Sequence, residues 1–251
     1  MANLYFTDGL APEAFEAGAI VEVTGEEARH AVRVSRLRMG ERIMVGDGLG
    51  TVGEGPVESA ERDRFTVRLE SVRRDPSPAQ RVVLVQALAK GDRDERAVEQ
   101  ATEFGVDAIV PWEAARSVSR WGAEKTAKGV AKWARIAREA SKQSLRSRVP
   151  GVAEPVRLAQ LCEAAGREGV AVVALHPRGG ARLTAWAAGA DVAVAGEILL
   201  VVGPEGGFAD EELDALEAAG AVVRVLGETV LRTSSAGPAA IAVLNAALGR
   251  W

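Results

Sequence analysis

Up to Leu69 the apolar runs of this chain are short and strand-like; beyond Arg81 strand-like runs alternate with helical ones. In the first part, runs at 19–23, Arg42–Gly46 and 64–69 read as strands, separated by glycine turns such as Gly46-Asp47-Gly48 and Gly53-Glu54-Gly55. That pattern predicts a small β-barrel. A polar stretch with two prolines, Arg73-Arg74-Asp75-Pro76-Ser77-Pro78-Ala79-Gln80, closes it. The expected domains are therefore 1–73 and 80–251. In the second, strands at 81–89 and 108–111 flank a helix at 95–105, and three more buried strands follow at Val170–Leu175, Glu197–Val202 and 221–225. Such alternation predicts an α/β domain built on a parallel sheet.

One helical stretch stands apart by its charge. Lys125, Lys128, Lys132, Arg135, Arg138, Lys142 and Arg146 recur every three or four residues and fall within an arc of about 140° on a helix. Val130, Trp133, Ile136, Ala137 and Ala140 fall on the opposite side. Within the stretch only Glu124 and Glu139 offer neutralisation, whereas an ordinary surface helix mixes both signs. A solvated face is the plain explanation of a charge run; one this long and this uniform favours a bound polyanion. The apolar side, mostly alanine with one Trp and one Ile, is too slight for a membrane surface.

Composition narrows the class. At 251 residues the chain has room for one large or two modest domains, and 47% apolar with 26% charged residues is ordinary for a globular protein. The net charge of −4 conceals a basic island: residues 81–150 carry 14 basic and 9 acidic side chains, while both flanking segments are acidic. Cys162, the single cysteine, excludes an internal disulfide and is expected to be a buried thiol within Leu158-Ala159-Gln160-Leu161-Cys162. No Cys/His cluster has zinc spacing, so no metal is expected. The start, Met1-Ala2-Asn3-Leu4-Tyr5-Phe6-Thr7-Asp8, lacks a basic segment followed by an apolar one, and no apolar run approaches membrane-spanning length. A cytoplasmic protein is expected.

The candidate chemistry lies where the last three strands end. Val170–Leu175 runs into His176-Pro177. Glu197–Val202 runs into Gly203-Pro204-Glu205-Gly206-Gly207-Phe208, and the third strand into Leu226-Gly227-Glu228-Thr229-Val230-Leu231-Arg232-Thr233-Ser234-Ser235-Ala236. Loops at the carboxyl edge of a parallel sheet form ligand crevices. The glycine-rich loop has neither the Lys-Ser/Thr of a P-loop nor GxGxxG spacing. It feeds a helix opening Asp210-Glu211-Glu212, with Asp210 as the expected N-cap, and carboxylates there repel phosphate. Two readings of the loop stand side by side. It is a tight turn requiring positive φ, or it approaches a neutral or cationic nucleoside ligand such as S-adenosylmethionine, with Glu205 beside it. After the last loop, Thr233, Ser234 and Ser235 offer hydroxyl caps. Pro238 suits the first turn of an alanine-dominated helix reaching Leu248. That helix packs under a cofactor, packs against a second subunit, or simply completes the core.

Taken in order, these strings resemble the RsmE family of ribosomal RNA methyltransferases, within the SPOUT superfamily. Gly203-Pro204-Glu205-Gly206-Gly207-Phe208, Leu226-Gly227 and Leu231-Arg232-Thr233 carry the resemblance, which spans nearly the whole chain. Ala89-Lys90-Gly91-Asp92, Ala101-Thr102-Glu103-Phe104-Gly105-Val106 and Glu139-Ala140-Ser141-Lys142-Gln143-Ser144-Leu145-Arg146 are similar to its central signatures. In the first domain, His30 and Arg33-Val34-Ser35-Arg36-Leu37-Arg38-Met39-Gly40 resemble its PUA-like RNA-binding module. The chain departs from the family at Glu228-Thr229, Ser234-Ser235 and Gln100. These departures leave no catalytic base assigned within 228–235.

The resemblance implies a PUA-like β-barrel followed by a SPOUT α/β domain with a C-terminal trefoil knot, a homodimer, and no membrane partner. It implies methyl transfer from S-adenosylmethionine to N3 of a uridine in 16S ribosomal RNA of the small subunit. The expected cofactor edge is Leu175, His176, Pro177, Gly203, Glu205, Gly206, Gly207, Leu226, Gly227, Leu231, Thr233, Ser234 and Ala236. RNA is expected at Arg33, Arg36, Arg38, Lys90, Arg93, Arg116, Lys128, Lys132, Arg135 and Arg146. Uracil N3 attacks a methyl sulfonium only after losing its proton, so the site needs a base or a stabiliser of the uracil anion. Arg232 is the candidate stabiliser, against an ordinary ion pair; Glu205 is the candidate proton acceptor or cofactor-holding group. Two other functions fit the same strings: a SPOUT-type enzyme acting on a ribose hydroxyl or guanine, and a non-catalytic RNA-binding assembly factor.

Overall fold

A computed structural model describes residues 3–7, 9–10 and 12–251; Met1, Ala2 and Asp8, part of the N-terminal stretch read above, lie outside them. The chain divides into two compact units, Met1–Ser77 with Glu139–Val149, and Pro78–Arg138 with Pro150–Trp251. The first unit ends inside the proline stretch, but it also takes in 139–149, which local pattern had assigned to the second domain.

The first unit contains β1 (Leu4–Phe6), β2 (Ile20–Thr24), α1 (Gly25–Arg33), β3 (Arg42–Gly46), β4 (Thr51–Ala60), β5 (Arg64–Arg68) and β6 (Ser71–Arg74). Its strand order is β1-β3-β4-β5-β2, with β6 also on β4. The ten-residue β4 pairs β3 and β6 through its first half and β5 through its second, with a register break between Val57 and Ser59. One strand thus serves two ladders, and the sheet wraps Tyr5, Phe15, Val21, Val45, Phe65 and Leu69. Gly53-Glu54-Gly55, expected as a turn, lies inside β4. A β-carbon on Gly53 would sit 2.6 Å from Leu69 Cδ1, and one on Gly55 would run into the Arg68 carbonyl. These glycines mark close strand approach rather than a reversal, a demand set by residues distant in sequence.

The second unit contains β7 (Arg81–Ala87), α2 (Arg93–Glu103), β8 (Ala108–Trp112), α3 (Ala123–Gln143), β9 (Gly151–Val152), α4 (Leu158–Ala165), β10 (Val170–Leu175), β11 (Ala181–Arg182), α5 (Leu183–Ala187), α6 (Ala190–Val194), β12 (Glu197–Val202), α7 (Asp210–Ala218), β13 (Val222–Val225) and α8 (Thr233–Ala247). Only the last turn of α3 belongs to the first unit. Seven parallel strands lie in the order β11-β13-β10-β12-β7-β8-β9. The unbroken apolar run of β12 reflects a strand covered on both faces. Ile198, Leu200 and Val202 enter one cluster, with Leu84, Trp133, Ile241 and Leu244. Leu199 and Val201 enter the other, with Trp112, Val172, Leu213 and Leu216. No helix among the described residues is long and apolar enough to cross a membrane.

Several local expectations are corrected by these packings. Helix α8 begins at Thr233, so Pro238 lies inside it rather than in its first turn, and no side-chain hydroxyl caps it. Its Gly237, Ala240, Ile241 and Leu244 are buried in the unit's own core. Ala239, Ala242 and Val243 remain half-buried and Ala246 exposed on the other side. Asp210 is the first residue of α7 rather than its cap; Ala209 precedes it, and Glu212 turns back to accept the Ala209 N–H at 2.9 Å. Cys162 is half-buried, because Leu161 and Ala164 take the inward positions of α4.

The cationic stripe of α3 is not uniformly wet. Lys125, Lys128 and Arg135 are exposed, but Lys132 pairs with Glu95 of α2 at 2.5 Å. Lys142 is only 8% exposed, held by Glu27 at 3.1 Å and Glu139 at 2.7 Å. Glu27 also accepts the Phe6 N–H at 3.2 Å, so the pair ties α1 and β1 to the end of α3 within the first unit. Removing one partner of a poorly solvated pair strands the other's charge. Lys142→Met is therefore expected to destabilise the first unit by about 3 kcal/mol, and adding Glu27→Gln should recover most of that. Denaturant unfolding of the two variants checks it; an unchanged midpoint in Lys142→Met would remove the pair from the stabilising contacts.

Candidate active site

At the carboxyl edge of β10, β12 and β13 the loops enclose a cavity of about 600 Å³. Its walls are Leu175 to Pro177, Val202 to Phe208 and Arg224 to Leu226, with Gly227, Thr229 to Thr233, Ala236 and Arg93. Two buried contacts bring these loops together. The Thr233 hydroxyl donates to the Gly203 carbonyl at 2.7 Å and accepts from Gln86 Nε2 at 2.9 Å. Trp112 Nε1 donates to the Val202 carbonyl at 2.9 Å. The hydroxyl expected to cap α8 instead joins the end of β7, the end of β12 and the start of α8.

Phe208 explains the glycines of the middle loop. Its buried ring lies 5.5 Å from Trp112 and meets the His176 ring edge-on at 6.0 Å. A β-carbon on Gly203 would come within 2.9 Å of it. Gly207 has φ +69°, a left-handed conformation that other residues adopt at a cost. The turn needs its glycines, and the same loop forms a cavity wall.

Charges around the cavity are arranged in opposed sets. Glu205 Oε1 accepts from the Lys90 N–H at 3.0 Å and from Arg93 Nη1 at 2.5 Å. Burial alone would raise the Glu205 carboxyl, but the Arg93 bond and the backbone N–H donors outweigh it and hold it below the usual range. The Lys90–Arg93 segment is fixed by Asp94, buried, which accepts the Ala89 N–H at 3.1 Å and the Glu95 N–H at 2.9 Å. Burial raises the Asp94 carboxyl, against those two bonds. Burial, and then the charge of Arg178, push the His176 imidazole down from its ordinary value. Its Nδ1 faces the Arg178 N–H at 3.2 Å, so the neutral ring carries its proton on Nε2. Arg116 Nη1 reaches the Gly206 carbonyl at 3.3 Å, and Arg232 is exposed at the rim. Asp210 and Glu211 stand exposed in the first turn of α7, where a phosphate would otherwise bind. Glu212 is instead buried, accepting the Ala115 N–H at 2.7 Å.

The residues expected at the cofactor edge converge here, apart from Ser234, which lies in the first turn of α8 away from the cavity lining. Arg93, expected to meet RNA, lines the cavity and pairs with Glu205. Arg33, Arg36, Arg38 and His30 are exposed in the first unit; Lys90, Arg116, Lys128 and Arg135 are exposed in the second, and Arg146 is half-buried. Local pattern did not single out Val202, Phe208, Arg224 or Val225 as lining. For Phe208 the signal was present, since it directly follows the glycine string. Among the described residues no cluster of three or more His, Cys, Asp and Glu side chains is placed to hold a metal.

The chain is similar to known proteins in sequence and in fold. A family model described as an RNA methyltransferase domain matches residues 75–245, and one described as an RNA methyltransferase PUA domain matches 23–70. The ribosomal RNA small subunit methyltransferase E of Mycobacterium bovis is 41% identical over 256 aligned positions, covering 100% of this chain and 94% of that protein. The chain belongs to that family. The Bacillus subtilis member is 31% identical, over 92% of this chain and 91% of its own. Among solved structures, the family's Neisseria gonorrhoeae member bound to S-adenosyl methionine superposes with a TM-score of 0.82 at 27% identity, covering 98% of both chains. The first unit thus carries the family's PUA domain, and the parallel sheet with its cavity its methyltransferase domain.

Proposed function

We propose that the chain methylates N3 of a uridine in 16S ribosomal RNA of the small subunit, using S-adenosylmethionine held in the cavity at the edge of β10, β12 and β13. The observation that carries this reading is a three-loop cavity with a carboxylate in its wall and an acidic first turn of α7 after its glycine loop. A ligand that is cationic, carries a nucleoside and lacks phosphate fits that chemistry, and Leu175, Val202, Leu226 and Ala236 offer apolar surface to a base. When bound, the cofactor supplies an electrophilic methyl group on a sulfonium. Glu205, held ionised by Arg93, is a weak base, so its role is to attract the cofactor's positive charge. Arg232 sits at the rim without an ion pair among the described residues. Its role is to stabilise the negative charge that develops on the uracil oxygens as N3 loses its proton. The strand order, with β13 beside β10 and β11 rather than β12, and the return of Thr233 to Gly203 support the trefoil threading of this family.

The deciding experiment is transfer of labelled methyl from S-adenosylmethionine to small ribosomal subunits, followed by nucleoside mass spectrometry. 3-Methyluridine is expected, and Arg232→Ala should lower kcat by about a hundredfold while leaving cofactor affinity nearly unchanged. A 2′-O-methyl nucleoside or a methylguanine would move the enzyme to another substrate class. Binding of RNA without any transfer would favour an assembly factor.

RNA is proposed to engage the exposed cations of α3, together with Arg33, Arg36 and Arg38 of the first unit. Lys132 contributes less, because Glu95 already neutralises it. Lys128→Glu with Arg135→Glu should weaken RNA binding severalfold and reduce the slope of log affinity against log salt by about 2, with cofactor affinity intact. An unchanged slope would make the stripe plain solvated surface.

The protein is proposed to act as a homodimer through the outward side of α8. Ala239, Ala242, Val243 and Ala246 fall on one face at helical spacing, small enough for close approach of a second helix. Sedimentation velocity at micromolar concentration should give a dimer of the 26.3 kDa chain, and Ala246→Arg should shift it to monomer. A fully active monomeric parent would overturn this.

A further inference from the structure

The cavity wall contains a guanidinium that is neither paired with an acid among the described residues nor fully exposed. Arg224, near the end of β13, is half-buried and lines the cavity. Its Nη1 donates to the Val223 carbonyl at 2.8 Å, while its Nε is buried with no hydrogen-bond partner. Among the described residues it makes no ion pair. Other arginines nearby are provided for: Arg93 by Glu205, Arg178 by Asp214 and Glu217. Arg232 and Arg116 are exposed to water at the rim. Arg224 has neither an acid nor full hydration.

Its place in the fold sharpens the point. Arg224 is paired in register with Leu175, and its carbonyl accepts the His176 N–H at 3.1 Å, so it stands beside the strand end that forms one wall. A guanidinium stays charged, and in poorly solvated surroundings it is disfavoured until an anion meets it. A sulfonium ligand would be repelled by such a group unless the ligand carried its own anion. S-adenosylmethionine carries one anionic group, the carboxylate of its methionine end. An RNA phosphate would first meet the exposed cations of the rim.

We infer that Arg224 grips the α-carboxylate of the cofactor, so that Glu205 and Arg224 divide the recognition of one zwitterionic methionine end. The planar fork of arginine suits a carboxylate. This rests on the reading of the cavity as the S-adenosylmethionine site. Its consequence is selectivity for cofactors and products that keep a free carboxylate.

The test uses two ligands without a sulfonium, S-adenosylhomocysteine and its carboxyl methyl ester, titrated by calorimetry into the full chain and into Arg224→Met. This forms a double-change cycle on one contact. The parent is expected to prefer the free acid by tenfold or more, about 1.4 kcal/mol. Arg224→Met should lose that factor for the acid and bind acid and ester alike, with Arg224→Lys recovering part of the preference. Equal affinity of the parent for acid and ester would overturn the assignment, and that comparison decides the matter even if the variant does not fold. An undiminished preference in Arg224→Met, or an equal loss for both ligands, would overturn it too. A parent that binds neither ligand would instead overturn the cofactor reading, and this inference with it.

Discussion

The buried hydroxyl of Thr233 holds the second unit's site in register. It donates to Gly203 at the end of β12 and accepts from Gln86 in β7, whose register partner in β12 is Val202. One oxygen thereby joins the two central strands to the first residue of α8. Each bond contributes about 1 kcal/mol net, and losing one leaves a buried polar group unsatisfied at greater cost. Trp112 extends the same bracing to β8 through the Val202 carbonyl. Arg232 precedes Thr233 in the chain, so the position of the rim arginine follows from this contact rather than from any bond of its own side chain.

From that bracing follows a division of charge. The carboxylate of Glu205 is fixed by Arg93 and the Lys90 N–H, and the turn that supplies them is fixed by Asp94. The acidic first turn of α7 discourages phosphate at the glycine loop, whereas exposed arginines at the rim favour it there. On the proposed reading, a sulfonium inside and a polyanion outside are served by the same fold without competing for one subsite. Neutral His176, its Nδ1 engaged by the Arg178 N–H, adds no positive charge near that wall.

How much of this was legible depended on whether the responsible contact was local. Strand ends and their loops were legible because apolar runs stop at glycine, proline and polar residues, as at Val202-Gly203-Pro204. The fold class followed from strands and helices in alternation. By contrast, Gly53-Glu54-Gly55 inside β4 was read as a turn because its glycines answer to Leu69 and Arg68, which local composition does not reveal. Thr233 looked like a helix cap, since nothing near it in sequence announces Gln86 as its partner. Arg224 was passed over as one charge in an apolar strand. Its meaning comes from which carboxylates are absent around it, and that becomes visible only in three dimensions.

The basic helix shows why periodicity of charge is an incomplete guide to binding. Lys125, Lys128, Lys132, Arg135 and Lys142 share one arc, yet their surroundings differ. The exposed members keep mobile counterions, whose release on meeting a phosphate drives association. Lys142 has none to release: it is enclosed with Glu27 and Glu139, and its charge is spent within the first unit. Lys132 lies between these cases, exposed but already paired with Glu95. A single helical stripe therefore divides in two: exposed cations near its start, where polyanion binding is proposed, and structural pairing at its end. What separates them is the acid contributed by other elements, α2 for Lys132 and α1 for Lys142. The cationic strength of the proposed RNA-binding surface is set as much by where those glutamates fall as by the lysines themselves.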